Sequence, residues 1–326
     1  SVLIGAKFGS VAIKLRLTSL SLGGVVWRSP ESRLTKNERR NPITPRSNVT
    51  VVIPTFNRDR FLASAINSCL EQTHPCEIIV VDHGSSDKTP EVARAFGPRI
   101  QYVRRNLDSG PEFSWIDGLL RVETKFAKIL HDDDWLEPNF LELCMGEFTN
   151  DCGFVFTNAT IVTEDGDRIR PALDADFAKS LVSPNRNLTR RMSRFLLSPS
   201  QMLFRTQDLI DGMFLGKLPF QEHDYLGAGS DHYMKLLAMT RYSHWRCVPE
   251  ELVSFRAHPG SITVNATTDD SRDRELTSTY SDVHDFFLML KCMRTLRLKE
   301  ILKFRRRLRE NLRTVWSFAV RLGRQV

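Results

Sequence analysis

No stretch of the 326 residues approaches the run of about 18 apolar residues that a membrane-spanning helix requires, so none is expected. The N-terminal run is broken by Lys7, Lys14 and Arg16 and lacks an apolar core followed by a cleavage site, so no signal peptide is expected either. Cysteine is sparse: the six thiols (Cys69, Cys76, Cys144, Cys152, Cys247, Cys292) form no CxxC pair and no metal-like cluster. The expectation is therefore reduced thiols in a cytosolic protein, with Cys69 and Cys152 as small core residues. Also missing is a basic stretch interleaved with aromatic residues, and with it the commonest sequence mark of nucleic-acid binding.

What is present is uneven. At 41% hydrophobic and 26% charged the chain has globular composition, and its length suits one large domain or two ordinary ones. The net charge of +7 is concentrated at the ends. Residues 1–48 hold nine Lys/Arg against two Glu, and 291–326 hold twelve against two, so the middle is strongly acidic. Basic ends around an acidic body point to an anionic partner for the ends, such as a membrane surface or nucleic acid.

The stretch 28–48 is polar, basic and carries three prolines, as a linker or extended arm would. Order begins at Val49. "VTVVIP" and "EIIVV" (77–81) are β-branched runs of buried-strand type, and between them Phe61, Leu62, Ala65, Ile66, Cys69 and Leu70 recur at helical spacing. Strand, helix and strand within about 35 residues make a βαβ unit. Thr89-Pro90-Glu91 reads as an N-cap, a first-turn proline and a first-turn acid opening a helix over 90–96. Strands follow at 100–104, 126–130 and 153–162, with helices at 111–121 and 138–148 between them. Beyond residue 165 the pattern predicts helices near 188–197, 206–213, 229–239 and 276–322, and a short strand near 251–256. The fold class is α/β, a mixed and mostly parallel sheet flanked by helices, with a helical C-terminal extension. Ligands of such sheets bind beyond the carboxyl ends of the strands.

Two acidic features fall at such ends: Asp82, and the run Asp132-Asp133-Asp134 in "KILHDDDWLEP" (128–138). Three adjacent like charges are either a solvated turn or a seat for something positive. Clustered carboxylates at a strand end suit a hard divalent cation. A glycine-rich phosphate loop does not follow the first strand, where the chain reads "PTFNRDR", which argues against nucleotidyl transfer.

"VVIPTFNRDRFLASAINSCLEQTHPCEIIVVDHGSSDKT" (51–89) resembles the opening of the GT-A family 2 glycosyltransferases. The likeness runs through Asn106, Gly110, Gly118 and the aspartate run with Trp135 and Pro138, then through "GAGSDHYMKLLA" and "VPEELVSFRAHPGSIT", covering roughly 50–265. It implies a metal-dependent, inverting transfer from a nucleotide-diphosphate sugar. The donor would be a UDP-sugar by default, with dTDP- and GDP-sugars open because His83 stands where the family often has a second Asp. The cation would be Mn²⁺ or Mg²⁺, neutralising the departing diphosphate. By the resemblance Asp133 is a metal ligand, Asp132 faces the ribose, and Asp134 is a second metal contact or faces the acceptor. His131 stands where the first Asp of the family's DxD motif often stands. Asp82 would take the base N–H, with Pro54, Thr55 and Asn57 in the same pocket and Arg104 or Arg105 reaching it. Asp231 matches the general base, although Ser230 replaces the Glu that usually precedes it. His258 matches a position near metal or diphosphate, and Arg256 is a candidate phosphate contact.

Plainer readings stand beside these. Pro54 and Asn57 also suit a turn, His83 an exposed loop, Asp231 a helix N-terminal charge, His258 a structural role and Arg256 a strand-end surface charge. A catalytically inactive saccharide- or nucleotide-binding protein is the alternative function. Retention of Asp82, the aspartate run and Asp231 together argues against it. The expected layout is a basic arm (1–48), a transferase domain (49–265, donor half 49–165, acceptor half 166–265) and a helical basic extension (266–326). Within 298–319 an apolar stripe beside many Lys/Arg fits either an anionic membrane surface or packing on the body. The acceptor would be a saccharide or lipid-linked glycan for the cell surface, and the location cytoplasmic, peripheral on the inner membrane face. No nucleic-acid partner is expected.

Overall fold

A computed structural model describes residues 47–182, 192–193, 195–218, 221–223, 228–261 and 270–295. The basic arm, most of the helix expected at 188–197, and the amphipathic stripe at 298–319 lie outside these residues. All described residues belong to the compact unit that begins at Arg46.

The strands are β1 (Val49–Thr55), β2 (Glu77–His83), β3 (Gln101–Arg105), β4 (Phe126–Ile129), β5 (Trp135–Leu136), β6 (Cys152–Val162), β7 (Arg168–Pro171), β8 (Met202–Arg205) and β9 (His244–Arg256). The helices are α1 (Leu62–Leu70), α2 (Thr89–Ala95), α3 (Pro111–Leu119), α4 (Phe140–Gly146), α5 (Ala175–Ser180), α6 (Thr206–Asp211), α7 (Ser230–Arg241) and α8 (Asp270–Thr295). The sheet runs β3-β2-β1-β4-β8-β6-β9-β5, with β7 on β6. The block β3-β2-β1-β4 is wholly parallel, and its crossovers are the helices the periodicity predicted. Beyond β4 the sheet is mixed: β8 is antiparallel to both β4 and β6, while β6 and β9 run parallel.

Alternation along the buried strands divides the core in two. Val51, Ile53, Ile78 and Val80 face one way, toward Leu62, Ile66, Phe140 and Cys144 of α1 and α4. Val52, Ile79 and Val81 face the other way, toward Leu119 of α3 and Met234 of α7. On that side α3 lies so close that a Cβ on Gly118 would stand 2.3 Å from Val52 Cγ1, so only glycine fits there. Cys69 and Cys152 are buried as expected.

The structure alters several expectations. Thr89 is the first residue of α2 rather than its cap, and its N–H is taken by Asp87 Oδ1 at 2.9 Å. The short strand at 251–256 is the end of a 13-residue strand, β9. Strands β5, β7 and β8 and helix α5 carried no clear periodicity, each being six residues or fewer. Two-residue β5 matters most, because Trp135 pairs with Ser254 and so ties the exit of the aspartate run to β9.

Candidate active site

The carboxyl ends of β1 and β4, the end of β9, the start of α7 and one face of α8 surround a cavity of about 1310 Å³. Pro54, Thr55, Asn57, Asp132, Asp133, Asp134, Asp231 and Arg256 line it. Residues more than 170 positions apart in the chain are thus brought to one space.

One wall is the aspartate run. Asp132 Oδ2 accepts the N–H of Phe56 at 3.4 Å, and Oδ1 lies 3.7 Å from Arg58 Nε. Asp133 Oδ2 meets His258 Nε2 at 2.9 Å, and Asp134 Oδ2 is 3.6 Å from His131 Nδ1. Arg256 pins the run to β9: its N–H reaches Asp134 Oδ1 at 3.4 Å and its Nε donates to the Asp133 carbonyl at 3.2 Å. Its guanidinium also lies over Phe61 and Trp135, 4.9 and 4.7 Å from the ring centroids, and contacts the Glu164 carbonyl. Two of this side chain's five N–H donors are therefore spent inside the protein.

The electrostatics of this wall follow from burial and crowding. Burial, and then the charge of Asp133, push Asp132 up to about 7 despite Arg58. Burial would raise Asp133 too, but the His258 hydrogen bond, with His131 and Arg58, holds it below the usual carboxylate range. Burial raises Asp134. Burial works against a charged His131, yet Asp134 and its two neighbours lift that imidazole to about 9. Beneath the run, fully buried Lys128 donates to the Ser200 carbonyl at 2.6 Å and is lowered by burial to about 7. His131, Asp133 and Asp134 offer ligand atoms within 4.8 Å of one another, a grouping that fits a divalent cation. His131 was passed over as a ligand by sequence reasoning, although it adjoins the run.

The opposite wall is quieter. Asp231 Oδ1 accepts the backbone N–H groups of Gly229 at 3.1 Å and His232 at 2.8 Å, and Oδ2 accepts the Tyr280 hydroxyl at 2.8 Å. Burial raises its carboxyl above the ordinary range. His232, beside it, is held neutral by burial, lowered to about 2.

The remaining candidates lie around the cavity. Asn57, with φ of 53°, accepts the Ser86 N–H on Oδ1 at 2.8 Å, so it shapes the junction of the β1 and β2 loops as well as lining the cavity. Asp82, His83 and Arg104 are not among the described residues that line it. Asp82 is fully buried, its Oδ2 accepting the Tyr102 hydroxyl at 2.6 Å and its Oδ1 the Ser85 N–H at 2.8 Å. Arg104 lies 3.9 Å from Asp82 and donates to the Ser85 carbonyl at 2.8 Å. His83 is buried, not the exposed loop residue of the plainer reading, and burial lowers its pKa. His258 lines a smaller adjoining hollow with Arg58 and Glu164. Arg58 itself, bridging Asp132 and the Gly260 carbonyl, was not singled out from the sequence. Its position directly after Asn57 is the signal that was available.

A parallel βα block, carboxylates at its strand ends and a mixed sheet beyond define a GT-A glycosyltransferase fold. The family model described as "Glycosyl transferase family 2" matches residues 50–213, half of the chain, and the chain belongs to that family. The structure of S. aureus TarS 1–349 in complex with UDP-GlcNAc has this fold, with a TM-score of 0.53 and 17% identity over 72% of each chain. Among curated relatives, the GalNAc(5)-diNAcBac-PP-undecaprenol beta-1,3-glucosyltransferase of Campylobacter jejuni is 35% identical over 121 residues, 36% of this chain and 39% of that one. Escherichia coli chondroitin synthase is 29% identical over 128 residues, 37% of this chain and 18% of that one. The chain thus spans well under half the length of each of these two relatives.

Proposed function

We propose that the chain transfers a sugar from a nucleotide-diphosphate donor, by default a UDP-sugar, to a hydroxyl of a saccharide or lipid-linked acceptor, with inversion. The observation that carries this reading is that Asp132–Asp134 and Asp231 line one cavity. Asp133 and Asp134, with His131, would hold Mn²⁺ or Mg²⁺, and His258 would steady Asp133 from behind. When bound, the cation supplies positive charge opposite the departing diphosphate. Asp132 would meet the ribose, and Asp231 would take the acceptor proton from the other side. Direct displacement from the face opposite the leaving group inverts the anomeric carbon.

The UDP-GlcNAc bound to TarS supports a UDP-sugar donor, and the undecaprenol-linked acceptor in the C. jejuni relative's name supports a lipid-linked glycan. Apolar residues of the cavity lining, among them Leu173, Leu197, Phe255 and Leu276, suit an acceptor that has an apolar part. Asp82, His83 and Arg104 would read the base once the loops around Ser85 give way. No helix among the described residues is long and apolar enough to cross a membrane. The stripe at 298–319 would meet an anionic surface, placing the enzyme on the inner membrane face with residues 49–265 as its transferase domain.

Thermal unfolding with UDP, GDP and dTDP, with and without Mn²⁺, tests the reading in the native chain and in Asp133→Asn. A ligand at 100 times its Kd stabilises by about 2.7 kcal/mol. The expected result is a UDP shift that needs Mn²⁺ and is lost in the variant. No shift with any nucleotide would overturn the donor site.

A further inference from the structure

Helix α8 was expected as part of a basic tail. Over 270–291, however, it carries five acidic and three basic residues, and it is built into the body. Val283 and Phe287 are buried against Leu218 and Leu236. Asp282 Oδ2 accepts the N–H groups of Glu222 and His223, both at 2.9 Å. At the mouth of α7, Gly229 has φ of +110°, and a Cβ there would lie 2.7 Å from Val283 Cγ2. The two helices touch at a point where only glycine fits.

This docking aims one stripe of α8 into the cavity. Thr277, Tyr280, Ser281 and His284 are spaced three, one and three residues apart, which puts them on one helical face. Tyr280 donates to Asp231 Oδ2 at 2.8 Å, and its ring stands edge-on to His232, centroids 6.0 Å apart. Among the described residues the three hydrogen-bond donors to Asp231 are all neutral. Among the described residues, the charged or titratable groups that act on it include His131 from beyond β4, Tyr280 from α8 and Lys235 from its own helix. A carboxylate has about four lone-pair sites. Among the described residues two donors occupy Oδ1 and one occupies Oδ2, so the position these leave open is on Oδ2, beside the Tyr280 hydroxyl.

We propose that Tyr280 is a positioning residue that holds Asp231 with its free Oδ2 lone pair toward the acceptor, making α8 part of the active site. The proposal rests on Asp231 being the base. In the step it serves, the acceptor oxygen bonds to the anomeric carbon and its proton passes to Asp231 Oδ2. The bond from that carbon to the diphosphate breaks, and its electron pair leaves with the phosphate. Tyr280 keeps its own proton throughout, since burial and then the charge of Asp231 hold its pKa well above the usual phenol value.

The test compares the native chain, Tyr280→Phe, Asp231→Asn and Val283→Ala. The aspartate carboxyl carbons are titrated by NMR, with the Asp231 signal identified by its loss in Asp231→Asn. Hydrolysis of UDP-GlcNAc with Mn²⁺ is followed across pH, water serving as acceptor. Loss of a donor to the charged carboxylate raises its pKa, so Tyr280→Phe is expected to move the Asp231 midpoint up by roughly one pH unit. The acid limb of hydrolysis should follow, with the UDP-GlcNAc KM within about twofold of native. Val283→Ala loosens the helix but leaves the hydroxyl, so it should lower Tm without moving the midpoint. An unmoved midpoint in Tyr280→Phe overturns the proposal while leaving Asp231 as base. Hydrolysis retained in Asp231→Asn overturns the base reading and the proposal with it.

Discussion

The two walls of the cavity handle buried carboxylates in opposite ways. Around Asp132–Asp134 the partners are cationic or can become so: Arg58, His131, His258 and, behind them, Lys128. Around Asp231 the donors are two backbone N–H groups and a phenol. Asp133, hydrogen-bonded to His258, is held below the usual carboxylate range and suits a permanent charge opposite it, although burial raises Asp132 and Asp134 beside it. A buried carboxylate held by neutral donors sits closer to the pH at which it takes a proton. The difference matches the two roles proposed for the walls, one binding charge and the other exchanging a proton.

Exchanging the two kinds of carboxylate for amides breaks the comparison most directly. Asp231→Asn is expected to reduce turnover by about 10²- to 10⁴-fold, the usual contribution of a general base, while keeping the Mn²⁺-dependent UDP melting shift. Asp133→Asn is expected to lose both. Equal loss of the melting shift in the two variants would erase the distinction between the walls.

A smaller effect lies in pH. Because burial raises Asp231, the base form is reached only above the ordinary carboxylate range, and turnover should climb with pH through that raised value. The same shift bears on stability. A native pKa above the unfolded one means that the folded chain holds its proton longer, so this group's contribution is present at low pH and lost as pH rises through the native pKa. Asp231→Asn should therefore unfold at a higher temperature than native near neutral pH, and at about the same temperature near pH 3.

Packing variants sharpen the picture further. Arg256→Ala keeps the backbone N–H to Asp134 but removes the side chain's bonds to the Asp133 and Glu164 carbonyls, and should cost about 1.5–3 kcal/mol in urea unfolding, with weaker Mn²⁺-dependent UDP binding. Gly229→Ala, forced against Val283 at positive φ, should cost about 1–3 kcal/mol and lower turnover while sparing UDP binding.

The charge-binding wall was far more legible in the sequence than the proton-exchanging one. β1, β2 and β4 are largely apolar runs, interrupted in β4 by Lys128, so Asp82 and Asp132–Asp134 could be placed at strand ends by pattern, with Pro54, Thr55 and Asn57 added by the resemblance. Asp231 was found by motif, but its surroundings were not. Tyr280 sits 49 residues further on in a helix of mixed polarity, and nothing local says that its hydroxyl meets a carboxylate. The meeting of His258 and Asp133 depends on β5, two residues long and without a period to detect. Asp82 marks the limit of motif transfer: its position was legible, but its hydrogen bonds to Tyr102 and Ser85 were not. Long-range contacts made by short elements are what periodicity cannot carry.

The docking of α8 also bears on how such a protein can diversify. The segment matched by the family model ends at residue 213, before Asp231 and well before Tyr280. The stripe Thr277, Tyr280, Ser281 and His284 belongs to a single helix anchored by Val283, Phe287 and Asp282 on its other sides. Exposed polar positions on one helix change at little cost to a fold, whereas the strand ends that gather the aspartates are locked into the sheet. On the proposed function, this wall could be redrawn for a new acceptor by changing the exposed Thr277 and Ser281 around a retained Tyr280.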